Sequence, residues 1–238
     1  MLGPLANSSA LVLGGVFGAL LGRLVPRHIK ETLPMTFGVL ALAIGVTLVT
    51  KVHALPAVAL AMILGTLIGE LLYLEHGLET AIKSAQKRFE RTGPKAGKTP
   101  LPEGFAVKFV TITVLFCASG MGIFGAIHEG MTGNADILLA KSVLDLFTAM
   151  IFATELGYAV ALIAVPQLAI QSALHFGANS LMPLATPTML ADFSACGGVI
   201  MLATGLRICG IKIFPIVNML PALLLVMPVS ALWARFFA

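Results

Sequence analysis

Long apolar runs separated by short polar intervals extend over almost the whole chain. A helix needs about 20 mostly apolar residues to cross a hydrocarbon core of roughly 30 Å, so each run can be tested against that length. Spans are predicted over 8–24, 34–50, 55–74 and 105–127, the third with Pro56 in its first turn, where a missing N–H is harmless. From 137 to 177 the chain stays largely apolar for about 40 residues, near 60 Å of helix and too long for one crossing. A division is predicted between Thr154 and Tyr158. Two further spans, 193–208 and 214–236, complete an all-α transmembrane bundle of eight, or seven if one of them is re-entrant.

Composition agrees with this pattern. Of 238 residues, 58% are hydrophobic and only 11% charged, whereas soluble domains carry about a quarter charged residues. With a mean hydropathy of +0.98, too little charge remains to solvate a globular surface. The three cysteines, Cys117, Cys196 and Cys209, lie in or beside apolar runs without disulfide or metal-ligand spacing. No basic segment precedes the first run and no small-residue cleavage site follows it, so it reads as a retained span.

Basic residues set the orientation, because positively charged short loops stay cytoplasmic. Arg23, Arg27 and Lys30 follow the first span; Lys83, Lys87, Arg88, Arg91, Lys95, Lys98 and Lys108 follow the third; Arg207 and Lys212 precede the last. Only Lys51 and Arg235 fall on the other side, which predicts both termini outside the bacterial inner membrane. The polar interval 76–104 carries Glu79, Lys83, Lys87 and Arg91 at helical spacing and ends in a Gly/Pro-rich stretch. It reads as a short cytoplasmic helix and a linker.

The chain also resembles itself. Phe17-Gly18-Ala19 aligns with Phe176-Gly177-Ala178, Gly38 and Gly45 align with Gly198 and Gly205, and Pro56 aligns with Pro215, all at an offset of about 160 residues. Spans one to three would then match spans six to eight. Five spans separate the copies, and an odd number turns the second upside down, the inverted-repeat architecture of many secondary transporters. On this reading the single transmembrane domain divides into a repeat unit 8–75, a cytoplasmic loop 76–104, central spans 105–157 and a second repeat unit 158–238. Chance identities are frequent in so glycine-rich a chain, and Phe124-Gly125-Ala126 repeats the same tripeptide outside both units.

Gly14, Gly18 and Gly22 form a stripe on the first span, as do Gly65 and Gly69 on the third. Small residues four apart let helix backbones approach closely, within the chain or across a homodimer.

Charges inside spans are costly and face a bundle interior, a partner or water. Lys141 and Asp145 are four residues apart on one face of span five, with Ser142 and Thr148 nearby. They form either an ion pair that makes insertion tolerable, with Lys141 snorkelling, or a coupling-ion site whose carboxylate changes partner. Gln167, Gln171 and His175 recur every four residues on span six and either bond across helices or line a hydrophilic path. Asn218, followed by Pro221 and Pro228, marks a place where broken backbone could hold an ion. Glu70 reads as snorkelling, Glu155 as part of a tight turn, and 128–136 as a short acidic connecting loop with Asp136 as a helix cap.

Four stretches together, Gly-Pro-Leu-Ala-Asn at 3–7, Ala-Ile-His-Glu-Gly-Met-Thr-Gly at 126–133, Lys-Ser-Val-Leu-Asp at 141–145 and Asn-Met-Leu-Pro-Ala at 218–222, resemble the YqgA/YdfK-like family of bacterial inner-membrane proteins, a domain of unknown function. The resemblance covers nearly the full chain and is most specific at 141–145. It implies a polytopic membrane protein, sometimes labelled a possible transporter, with no established substrate.

The function expected is therefore a small secondary transporter or ion-conducting protein, with Lys141, Ser142, Asp145, Gln167, Gln171 and Asn218 as candidate substrate or ion ligands. Its expected partners are the lipid bilayer, a small solute or monovalent ion, and a second copy of the chain. The alternative is a non-transporting scaffold that binds partner helices through its glycine stripes. Enzyme signatures are missing: there is no His-Glu-x-x-His, no Gly-x-Ser-x-Gly and no nucleotide-binding loop, and His28, His53, His76, His128 and His175 are scattered. No catalysis, cofactor, metal or nucleic acid is expected.

Overall fold

The structure is a computed structural model that describes residues 1–21, 26–78, 80–81, 84, 105–117, 119–180, 183 and 185–237. Gly22 and the stripe of Glu79, Lys83, Lys87 and Arg91 with its linker lie outside the described residues. The described residues are helical, with short connections: α1 (Leu2–Leu21), α2 (Arg27–Val49), α3 (Leu55–Leu71), α4 (Phe105–Cys117), α5 (Gly120–Thr132), α6 (Asp136–Leu156), α7 (Ala159–Leu162), α8 (Ala164–Asn179), α9 (Pro187–Ile208), α10 (Ile216–Met219) and α11 (Pro221–Phe237).

Hydrophobicity is turned outward. Leu13, Phe17, Ile63, Val143, Val165 and Leu224 are exposed, while Asn7, Glu129, Lys141, Asp145, Gln167, Gln171 and Asp192 are buried. That distribution suits a hydrocarbon solvent, in which apolar side chains face out and polar ones must find partners inside. Among the described residues, six segments are long and apolar enough to cross a membrane: Leu2–Leu21, Lys108–Thr132, Asp136–Leu156, Ala159–Asn179, Pro187–Ile208 and Ile216–Phe237. Two further apolar helices, Met35–Val49 and Leu55–Leu71, are shorter.

Backbone-to-backbone contacts at glycines define how the helices meet. Gly3 lies against Leu138, Gly14 against the Leu146 carbonyl and Gly18 against the Met150 carbonyl, so α1 and α6 run parallel. Gly15 packs on the backbone of Ala161 in α7. Gly38 lies against Gly205, and Gly45 against Gly198, so α2 and α9 run antiparallel. Likewise Gly65 meets Ala222 and Gly69 meets Asn218, setting α3 antiparallel to the segment α10–α11. Where lipid removes the hydrophobic drive for association, this close approach gains the dispersion contacts that hold helices together. Gly14, Gly18, Gly65 and Gly69 are thus occupied within the chain.

Several expected boundaries move. The first helix begins at Leu2 and not at Ser8, since Asn7 and Ser8 are buried in its packed face. The helix expected from Phe193 starts at Pro187, capped by Thr186, because Asp192 is fully buried and hydrogen-bonded. His128, Glu129 and Gly130 are not a loop: α5 continues to Thr132 and ends at Gly133, whose φ of 74° suits glycine. Asp136 is not the cap of α6 but its first residue; Ala135 holds the cap position and makes no side-chain cap bond. The long apolar run divides after Leu156, at Gly157 with φ of 61°, and breaks again at Ile163. Glu155 stands in the last turn of α6 and pairs with Lys108 at 2.7 Å.

Candidate functional site

The expected fourth span is interrupted. α4 stops at Cys117, Ser119 adopts an extended conformation with φ −66° and ψ 129°, and α5 starts at Gly120. The residues themselves explain the interruption. Ser119, Gly120 and Gly122 are weak helix formers, and serine at an N-cap accepts from the first turn, here from Gly122 N at 3.4 Å. The first turn of α5 brings Gly122 beside Lys141 on α6.

Asp145 is the centre of that face. Lys141, one turn earlier on α6, donates to Asp145 Oδ2, and Gln167 Nε2 reaches the same oxygen from α8 at 2.9 Å. Lys141 is only 2% exposed, so it does not snorkel; its chain turns inward toward the carboxylate. Its ammonium also stands 5.8 Å from the centre of the Phe116 ring, within range of a cation–π attraction. Gly122 forms the floor beneath it. A methyl group added there would lie 2.9 Å from Lys141 Cε and 3.3 Å from Gln171 Nε2, so Lys141 and Gln171 are neighbours across the glycine.

The chemistry determines how Gln167 is turned. A carboxylate accepts only, so the amide presents its NH₂ group to Asp145 and directs Oε1 elsewhere. That oxygen has no hydrogen-bond partner among the described residues; neither do both polar side-chain atoms of Gln171, both of Asn7, nor Ser8 Oγ. Asn7 enters by helix register: Gly3 meets Leu138 and Gly14 meets Leu146, so Asn7 stands level with the turn that carries Lys141. Each buried polar atom without a partner costs about 1–3 kcal/mol, and a structural cluster would not normally accumulate several. Ser142 differs from its neighbours, because its hydroxyl donates to Leu138 O at 2.7 Å along its own helix.

Asn218 does not join this cluster. Its Oδ1 accepts from Glu75 N at 2.7 Å, and the Glu75 carboxylate accepts from Arg207 Nη1 at 2.7 Å and from Val217 N at 2.9 Å. A second satisfied centre surrounds Asp192, whose Oδ1 accepts from His53 N and Ala54 N, both at 2.8 Å, and whose Oδ2 accepts from Ser230 Oγ at 2.6 Å. Glu129 anchors the start of α1, accepting from Gly3 N at 3.1 Å and from the Met1 ammonium at 2.8 Å, with His175 Nε2 at 3.2 Å from the same ammonium. His175 therefore leaves the Gln167–Gln171 stripe for this end of the helix. Glu70, in contrast, is exposed.

Asn7, Asp192 and Glu129 were absent from the expected site. Asn7 carried a readable signal, since it shares the Gly14 and Gly18 face of α1 at a spacing of two turns.

An all-helical protein with an apolar exterior and a buried, incompletely bonded polar centre belongs to the class of polytopic membrane proteins. The chain is a member of the protein family of unknown function DUF554, which it matches over residues 2–231. It is similar to the uncharacterized protein YqgA of Escherichia coli (strain K12), with 55% identity over 238 residues that span 100% of both chains. It is also similar to the uncharacterized membrane protein YdfK of Bacillus subtilis (strain 168), with 26% identity covering 94% of this chain and 93% of that one. No solved structure matches it. The expected resemblance thus holds over the full chain.

Proposed function

We propose that this protein is a small secondary transporter or ion-conducting protein of the bacterial cytoplasmic membrane, crossing it eight times with both termini outside. The observation that carries the reading is the buried Lys141–Asp145–Gln167 constellation, with the unpartnered amide of Gln171 beside Lys141 at Gly122 and that of Asn7 level with the same turn by helix register. Ionisable groups inside a membrane are expensive, and ion pathways are where they are put to use. The interrupted helix α4–α5 beside Asp145 supports the reading, because non-helical backbone at membrane depth is tolerated where it faces protein or a site.

An inverted repeat of spans one to three and six to eight is part of the proposal. The alignment that sets Gly38 on Gly198 and Gly45 on Gly205 implies a two-fold exchange of α2 and α9. Such an exchange turns the contact Gly38–Gly205 into Gly198–Gly45, and both contacts are present. The same exchange swaps α3 with α10–α11, and these segments pack antiparallel on each other. It also pairs α1 with α8 and α5 with α6. The parallel packing of α1 on α6 then has its counterpart in α5 on α8, where Gly122 meets Gln171 and Gly130 meets His175. A scaffold acting through glycine stripes is the weaker reading, because the described stripe glycines pack against helices of the same chain. A homodimer would have to use another surface.

The test is flux in liposomes reconstituted with the full chain, under proton and sodium gradients in turn, with Asp145→Asn as control. Transport that disappears in the variant is expected. Absence of any ion or solute movement under either gradient overturns the proposal.

A further inference from the structure

We propose that Asp145 is the seat of a monovalent hard cation of sodium size, and that the Lys141 ammonium holds this seat in the conformation described here. The inference rests on the transporter reading and names its coupling ion. Asp145 presents negative charge, and the Gln167 amide that bonds it carries an unpartnered oxygen, Oε1, so the cluster repels an anion. Lys141, the cation beside it among the described residues, is already engaged with the carboxylate. Further oxygens without partners stand on the adjoining faces, Gln171 Oε1 on α8 and Asn7 Oδ1 and Ser8 Oγ on α1. A carboxylate with neutral amide and hydroxyl oxygens is the donor set that suits hard cations over soft ones. Charge selects the valence. Lys141 keeps its charge beside the seat, so the pair with Asp145 is neutral overall, and a monovalent ion adds less uncompensated charge than a divalent one.

The ammonium has somewhere to go. Its Nζ already lies 5.8 Å from the Phe116 ring centre, and that ring face can receive a cation displaced from Asp145. Movement of the lysine arm needs clearance where its Cε passes the backbone. Gly122 provides it, since a methyl group there would come within 2.9 Å of Cε. Binding is then an exchange of one cation for another on Asp145: sodium bonds to the carboxylate and amide oxygens, and the ammonium keeps its proton and shifts to the aromatic face. The side chains involved lie on α1, α4, α6 and α8, with Gly122 on α5 beneath them. An ion seated among them would therefore bias how those helices pack.

The experiment measures thermal unfolding of the purified full-length protein in sodium chloride against choline chloride at equal ionic strength, together with binding of radioactive sodium. Stabilisation by sodium alone is expected, with saturation. Lys141→Gln should bind sodium about tenfold more tightly, because the internal competitor is gone. Asp145→Asn should lose the response, and Gly122→Ala should weaken it. Where the Lys141 or Asp145 variant fails to fold, Gln167→Leu, which removes one neutral oxygen and no charge, should weaken binding about tenfold. Equal stabilisation by choline, or full sodium binding by Asp145→Asn, overturns the inference. Proton-driven flux without a sodium response would overturn it while leaving the transporter reading standing. Sodium binding without flux would do the reverse.

Discussion

Two aspartates are buried in this protein, and they are held in opposite ways. Asp192 accepts from two backbone N–H groups and one hydroxyl, so it ties the 53–54 connection and α11 to α9. Asp145 is held by the tips of two long side chains, Lys141 and Gln167, among amides without partners. Backbone donors cannot leave without unfolding a segment, whereas an ammonium or an amide can withdraw by a change of rotamer. The first arrangement gives a fixed strut, and the second is one whose partners can withdraw. Burial and charge alone do not distinguish them; the identity of the partners does.

The largest effect should separate the two aspartates by activity. Asp145→Asn is expected to lower liposome flux by roughly 100-fold, the equivalent of about 3 kcal/mol. Asp192→Asn should keep at least half the flux, because an amide can still accept from His53 and Ala54 and donate to Ser230. Equal losses at both sites would erase the distinction drawn here. On stability, Lys141→Met leaves Asp145 buried without its cation and should cost about 3–5 kcal/mol in denaturant unfolding. The double change Lys141→Met with Asp145→Leu should recover most of it, since an apolar pair replaces a buried ion pair at little net cost.

The proposed symmetry is sharpened by Gly38→Ala and Gly198→Ala, each introducing a methyl group against the backbone of the opposite helix. Each should destabilise by about 1–3 kcal/mol, and the two losses should be similar if the sites are equivalent. A strong difference between them in thermal unfolding would count against the exchange of α2 with α9. The smallest effect belongs to the exposed Lys108–Glu155 pair, where Glu155→Gln should shift stability by no more than about 1 kcal/mol. A larger loss would mean that this pair is held as rigidly as Asp192.

Much of this architecture is legible along the chain because a bilayer imposes a length and a polarity on whatever crosses it. Runs of leucine, valine and alanine therefore announced helices, and the spacing of Lys141 and Asp145 placed both on one face. Predicted boundaries differ from the helices where a polar residue interrupts an apolar run. Asp192 stands just before the predicted span 193–208 and Glu129 in the predicted loop 128–136, yet each lies inside a helix because main-chain N–H groups from distant segments reach it. Asn218, expected as an ion ligand, accepts from Glu75 N, a partner that no spacing along the chain reveals.

The sequence by itself determined that the chain is an all-helical membrane protein, which faces are apolar, and which glycines permit close packing, because composition and periodicity act locally along each helix. Only the tertiary structure decided which helices those glycines join, which buried carboxylate is held by backbone donors and which by side-chain tips, and that Asn7 lies level with the turn that carries Lys141. Those glycine contacts and the backbone bonds to Asp192 depend on partners more than a hundred residues away, and no local pattern encodes the register at which two helices meet.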